Sequence, residues 1–270
     1  MARRSFLERD GTRLAVHDHG GDGPAVVLLH GLAGHAGEWD ETAGWLRERA
    51  RVVALDARGH GASERAPRDV SRRAAVDDVA FAIERLGLAP VVLVGQSLGG
   101  HTALLVAADR PDVVRALGVV EASPAGGGPA AAAELETALA RWPVPFASRA
   151  AAVGFFGGPS PAAQAWVDGL EQRDDGLWPR FDVEVVVGTL RAAGTEPAWA
   201  EWARIACPAL VVRAAHGIVP ADVARAMVDG RPRARLVEIA DAGHDVHLER
   251  PAEWRVALTA FLDELDAAAA

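Results

Sequence analysis

Six short apolar runs without polar alternation limit what this chain can become. They lie at 25–29, 52–55, 91–94, 117–120, 210–212 and 236–239. Each is too short for a helix and lacks the period of two that marks a half-exposed strand. They therefore read as strands buried on both faces. Between them lie longer amphipathic segments at about 39–49, 71–86, 98–109, 220–230 and 251–265. Strands that alternate with helices in this way predict a mostly parallel central sheet flanked by helices, an α/β class. An early segment, 13–17, is expected to add an antiparallel edge strand.

The alternation stops between about 124 and 206. This stretch is rich in Gly, Pro and Trp, as in Trp142-Pro143-Val144-Pro145 and Phe155-Phe156-Gly157-Gly158-Pro159. Short helices are expected at 134–141, 161–172 and 183–193, with no further core strand. The segment 125–206 is thus predicted to be a helical cap inserted into a core made of 1–124 and 207–270. Five of the eight Trp fall in it: Trp142, Trp166, Trp178, Trp199 and Trp202. They either fill the small core of the cap or line an apolar pocket beneath it.

Composition narrows the partners. Half of the 270 residues are hydrophobic and the formal charge is −9, spread along the chain. Binding to nucleic acid or to an anionic membrane needs clustered basic residues, so neither is expected. Cys207 stands alone, which excludes an internal disulfide and a cysteine-rich metal site. No window reaches the roughly 18 apolar residues of a membrane span, and Arg3 and Arg4 are followed by no apolar stretch. A cytoplasmic protein with a small-molecule substrate is expected; the oligomeric state is not legible.

The chemistry concentrates at three strand ends. The run Val91-Val92-Leu93-Val94-Gly95-Gln96-Ser97-Leu98-Gly99-Gly100 is a buried strand, a G-x-S-x-G turn and the start of a helix. So sharp a reversal strains Ser97 and needs small neighbours. It presents the hydroxyl at a helix N-terminus, where free N–H groups favour a developing oxyanion. A second strand ends in His30-Gly31-Leu32, whose loop can bring the Leu32 N–H toward Ser97 to act with the Leu98 N–H. His30 itself reads as a structural residue of the loop. The third strand end leads into Asp241-Ala242-Gly243-His244-Asp245, and His244 is the candidate general base. His247 reads as structural.

These motifs, with Asp56-Ala57-Arg58-Gly59-His60-Gly61 and Leu248-Glu249-Arg250-Pro251, resemble the α/β-hydrolase family. The similarity is to its cap-bearing esterases, epoxide hydrolases and dehalogenases. In one respect the chain departs from the family pattern. The resemblance implies a catalytic Asp in the loop after the strand at 210–212. Here that loop reads Arg213-Ala214-Ala215-His216-Gly217-Ile218-Val219-Pro220 and holds no carboxylate. Some members take the acid from the strand end before the cap, which here is Glu121. Glu121 is therefore assigned to orient His244, and Asp222 is its rival.

The resemblance implies a serine hydrolase acting on a carboxylic ester or lactone of a small to medium apolar or aromatic substrate. A Ser at position 97 sets aside the Asp-nucleophile dehalogenases and epoxide hydrolases. A C–C bond hydrolase, a cofactor-free perhydrolase, and a lyase or ligand receptor on the same fold stay open. Gly31, His35, Trp142, Phe155, Phe156 and Trp178 are the expected pocket residues. Arg180 and Asp182 are expected to pair on the surface. Asp56 is expected to organise its own loop with Arg58 and His60. No metal site and no cofactor is expected.

Overall fold

The computed structural model describes residues 2–126, 128–194 and 196–269. Eight strands form one sheet: β1 (Arg3–Arg9), β2 (Thr12–Gly20), β3 (Ala25–Leu29), β4 (Arg51–Leu55), β5 (Val91–Gln96), β6 (Val114–Val120), β9 (Ala209–Ala214) and β10 (Ala234–Ile239). Their order across the sheet is β1-β2-β4-β3-β5-β6-β9-β10. The pairs β1–β2 and β2–β4 are antiparallel and the others parallel. All six apolar runs are strands of this sheet.

Burial on both faces explains the runs of β3, β4, β5, β6 and β9; β10, at the sheet edge, is half-buried and its run carries the exposed Glu238. In β3, Val27 and Leu29 face one core, while Val26 and Leu28 face another. The first core is closed by α2 (Arg72–Arg85), α3 (Leu98–Asp109) and α9 (Ala221–Val228) through Val76, Leu104 and Met227. The second is closed by α1 (Asp40–Leu46) and α11 (Pro251–Ala269) through Leu46, Trp254 and Leu258. Each fully buried Val or Leu contributes about 1.5–3 kcal/mol of transfer free energy. A polar residue in these runs would remove that gain on whichever face it met. The Ser71 hydroxyl starts α2 by accepting the Ala74 N–H at 3.2 Å.

The segment at 13–17 is antiparallel as expected, but it is not the edge. β1 covers it, joined through Asp10-Gly11, both at positive φ (51° and 73°). β1 is mostly exposed, with no apolar run to betray it. Its signal was the Asp-Gly turn, the usual dipeptide of a tight hairpin.

Between β6 and β9 the chain forms α4 (Gly128–Leu139), α5 (Arg149–Phe155), α6 (Pro161–Asp168), α7 (Val183–Ala193) and α8 (Trp199–Arg204). The expectation of an all-helical insertion fails at 170–179. The helix expected over 161–172 ends at Asp168, and β7 (Leu170–Arg173) and β8 (Gly176–Pro179) form an antiparallel hairpin. Gly169 and the Asp174-Asp175-Gly176 turn are the local causes. The end of the segment also differs: Trp199 and Trp202 on α8 pack into the main core rather than into the insertion. The short α10 (Val246–Glu249) precedes α11. No helix among the described residues is long and apolar enough to cross a membrane.

Candidate active site

Ser97 sits between β5 and α3 with φ 51° and ψ −121°, a conformation that costs a non-glycine residue about 1–3 kcal/mol. The surroundings enforce it. The Ser97 N–H donates to Val120 O at 2.8 Å, which ties the turn to the end of β6. A side chain at Gly95 would begin 2.2 Å from Gly99 O, and one at Gly99 would begin 2.4 Å from His30 O. Only glycine lets three backbones meet there. Leu98 is the first residue of α3, so its N–H belongs to the free N-terminal set of that helix.

Gly31 is equally close. A Cβ there would lie 3.3 Å from Ser97 Cβ and 2.2 Å from Gln96 Oε1. The turn from His30 to Leu32 is thus pressed against the serine. His30 holds that turn: its Nδ1 bonds Gly31 O at 2.6 Å, and its Nε2 accepts the Ala57 N–H at 2.9 Å. This fixes the neutral tautomer. Burial, with the nearby His60, lowers its pKa to about 3. His30 is structural, as its position suggested.

The third strand end brings His244. Its Nδ1 lies 3.4 Å from Glu121 Oε2. That is long for a hydrogen bond, as catalytic contacts often are before substrate binds. Glu121 is fully buried, while the His244 side chain is 32% exposed. The Glu121 carboxylate also accepts the N–H groups of Ala214 and Ile218, each at 2.7 Å. A Cβ on Gly217 would fall 2.1 Å from Glu121 Oε2. The loop that lacks a carboxylate of its own therefore wraps its backbone around this one. Asp222, the rival, is exposed in the first turn of α9.

Two residues that hold the His244 loop escaped the sequence reading. Gln96 Nε2 donates to His244 O at 3.0 Å, which ties His244 to the residue before Ser97. Glu249 accepts the N–H groups on both sides of His244, from Gly243 at 2.7 Å and Asp245 at 3.1 Å. Gln96 lay inside the serine motif and Glu249 inside Leu248-Glu249-Arg250-Pro251, but neither motif says what they touch. His247 is buried and stacks on Trp39 with centroids 4.1 Å apart.

The inserted segment stands over this rim. Trp142 is the hub of a ring cluster with Phe146, Phe155, Phe156, Trp166 and Phe181, at centroid distances of 5.0–6.2 Å. Trp142 and Leu32 pack against the same group, Leu139, Phe181 and Val186. Trp142, Phe155 and Phe156 thus meet in one ring cluster; of the three, Trp142 reaches the group that Leu32 packs against, and Phe155 is exposed. Trp178 does not join them. It lies on the other side of its hairpin, where it donates to Asp175 and carries Arg173 on its ring. His35 is a bridge: its Nδ1 accepts the Gly37 N–H and its Nε2 donates to Ala165 O at 3.0 Å, joining the core to α6. Trp166 Nε1 makes a second tie, to Asp245 Oδ2 at 3.0 Å. Burial raises the pKa of Asp245 and holds Glu38 well above the usual carboxylate range.

Two other expectations change. Arg58 pairs bidentately with Asp78 (2.6 and 2.7 Å), not with Asp56. Asp182 pairs with Arg65 at 2.6 Å, not with Arg180. Arg180 is half-buried and its Nε has no partner among the described residues. Burial raises the Cys207 thiol to about 11, far from the range of a reactive cysteine. Among the described residues no group of His, Cys, Asp or Glu is placed to hold a metal ion.

Comparison with known proteins agrees with this architecture. The family model described as the alpha/beta hydrolase fold matches residues 24–251. The chain is 27% identical over 252 residues to 2-(acetamidomethylene)succinate hydrolase of Mesorhizobium japonicum, covering 90% of this chain and 89% of that one. It is 47% identical over 105 residues to mouse (Mus musculus) sn-1-specific diacylglycerol lipase ABHD11, but spans only 34% of that protein. Among solved structures, E-2-(acetamidomethylene)succinate hydrolase superposes with a TM-score of 0.88 at 25% identity, over 97% of this chain and 100% of that one. The enol-lactonase of Burkholderia xenovorans LB400 shares the fold, with a TM-score of 0.80 at 24% identity over 96% and 100%. The serine turn, the histidine loop and the parallel sheet that gathers them have one common explanation: this chain belongs to the α/β-hydrolase fold family.

Proposed function

We propose that this chain hydrolyses a carboxylic ester or lactone through an acyl-enzyme on Ser97. The observation that carries the proposal is the Glu121–His244 contact at a rim tied to the strained Ser97 turn. Glu121 keeps the proton of His244 on Nδ1, which leaves Nε2 as the base. Nε2 takes the Ser97 proton as Oγ forms a bond to the substrate carbonyl carbon. The N–H groups of Leu32 and Leu98 hold the oxyanion. When the C–O bond to the leaving group breaks, the imidazolium returns its proton to the departing oxygen. Water repeats the sequence on the acyl-enzyme and releases the acid.

Residues 125–206 act in this reading as a cap that screens the site. Its ring cluster favours a small to medium apolar or aromatic group near the Leu32 turn. Relatives of nearly full length are named as a hydrolase and, among solved structures, an enol-lactonase, which supports the reaction class. A panel of p-nitrophenyl esters and aryl lactones tests the proposal. Ser97→Ala is expected to lower kcat by at least about 10³-fold. A variant that keeps full activity would refute it.

A further inference from the structure

Arg58 and Arg72 lie in one neighbourhood and are satisfied very differently. Arg58 sits on the Asp78 carboxylate with two short bonds. Arg72 has no carboxylate within ion-pair distance among the described residues. Its one side-chain partner is Thr102 Oγ1, at 2.5 Å, and its Nε is buried without an acceptor. Acidic residues outnumber basic ones 37 to 28 in this chain, so a half-buried arginine without a carboxylate partner is not a shortage of acids. Burial draws its pKa only to about 10, which leaves it charged at neutral pH.

The setting adds more positive potential. Arg72 is the first residue of α2, whose first turn holds no acid, so a cation sits at the positive end of a helix. Its partner Thr102 is in the second turn of α3 and donates to Leu98 O at 2.8 Å. His101, next to Thr102, is buried with both ring nitrogens unpartnered. Burial and the Arg72 charge hold it neutral, with its pKa down to about 4. Arg72, Thr102 and Thr189 share a cavity of about 50 Å³ with Gly31 and with Leu98, the residue after Ser97; its two acids, Asp78 and Asp56, are already held, by Arg58 and by His17 with two backbone amides.

We propose that Arg72, with Thr102 beside it, binds a carboxylate carried by the acyl part of the substrate. Leu98 and Thr102 are four residues apart on α3, about 6 Å along its axis. The carboxylate would stand about that far from the carbonyl attacked by Ser97. A half-ester of a dicarboxylic acid of about five carbons meets this length. The assignment rests on Ser97 as the acyl-accepting residue, and it adds an anionic end to an otherwise apolar substrate.

Hydrolysis of monoethyl glutarate and of ethyl pentanoate, followed by proton release, tests it. These esters match in length and differ in one charge. The wild-type protein is expected to prefer the glutarate ester in kcat/KM. Arg72→Gln should cut that preference about 30-fold, the scale of a charge-assisted hydrogen bond, and Arg72→Lys should retain part of it. Equal loss on both esters, or an unchanged preference, overturns the proposal. So does a preference that collapses in Arg180→Gln but not in Arg72→Gln. Glutarate alone gives a readout independent of turnover: it should raise the Tm of the wild type and not of Arg72→Gln. If glutarate raises Tm through Arg72 while the ester preference does not change, the site takes free anions and the substrate assignment falls. If neither ester turns over and glutarate leaves Tm unchanged, the proposal falls as well. Turnover that survives Ser97→Ala sinks the acyl-enzyme reading without touching the anion site.

Discussion

Two buried carboxylates in this fold have nearly the same surroundings and face different outcomes. Asp56 follows β4. It accepts the N–H groups of Ala36 (2.7 Å) and Ala62 (2.9 Å) and bonds His17 Nε2 at 3.0 Å. Glu121 follows β6 and accepts two backbone N–H groups and one imidazole. Each is crowded by a glycine with no room for a Cβ, Gly61 for Asp56 and Gly217 for Glu121. The difference lies in the imidazole. His17 is buried within β2. His244 stands on a loop, partly open, tied through its carbonyl to Gln96, the residue before Ser97. The same carboxylate–imidazole pair therefore braces a loop in one place and, in the proposed reaction, moves protons in the other. The first contacts differ too, 3.0 Å at Asp56 and 3.4 Å at Glu121.

Exchanging each carboxylate for its amide breaks the comparison most directly. Glu121→Gln is expected to lower kcat on a p-nitrophenyl ester by on the order of 10³–10⁴-fold, because the amide no longer holds the reactive tautomer. The space left by Gly217 offers a second route. In Glu121→Ala with Gly217→Asp, the new side chain starts where the old carboxylate lay. About tenfold of the lost kcat should return; no recovery would mean that the loop cannot aim an acid at His244.

Asp56→Asn should do the opposite. It is expected to cost about 1–3 kcal/mol of stability in urea unfolding, through the loss of a buried charge-assisted bond and an unsatisfied amide neighbour. Its kcat should stay within about tenfold of the wild type. Burial works to raise the Asp56 carboxyl, but the His17 bond and the Ala36 amide help hold the group below the usual carboxylate range. A large kcat loss with unchanged stability would erase the distinction between the two pairs.

Closed imidazoles also set the acid limit of the fold. Burial lowers His247 to about 3, from an ordinary 6.5. The unfolded chain protonates this group below about 6.5 and the native state does not until about 3. Its contribution is therefore complete above 6.5 and is lost as the pH falls toward 3. His247→Phe keeps a ring on Trp39 and removes the titration. From pH 6 to 4 its unfolding free energy should fall less steeply than that of the wild type, by about 1.4 kcal/mol per pH unit. Identical slopes would show that His247 protonates without unfolding.

Much of this was legible along the chain, and the failures have physical causes. The inner parallel strands showed because burial on both faces leaves no polar residue to blur the run; β10, at the edge, showed through three apolar residues around an exposed Glu238. α3 and α7 were legible end to end, since a Gly-rich turn and Gly194 bound them. β1 was missed because an exposed edge strand has no hydrophobic signature, and β7 because its residues continue the composition of α6. Trp178 was placed in the pocket by residue type alone; a strand puts neighbouring side chains on opposite faces, and its face turned outward. The Gln96 and Glu249 contacts cross to His244 and its flanking amides and leave no local pattern.

Short-range spacing by itself determined the elements that carry Ser97 and His244, and the turn that must bend around Gly31. Those outcomes follow from periodicity and from backbone sterics within a few residues. Which carboxylate meets the imidazole was decided only in three dimensions. Glu121 reaches His244 because β9 pairs with β6 across the whole inserted segment, and because the loop after β9 closes two amides on that carboxylate. The missing partner of Arg72 is of the same kind: an ion pair depends on which helices pack together, and no spacing along the chain records it.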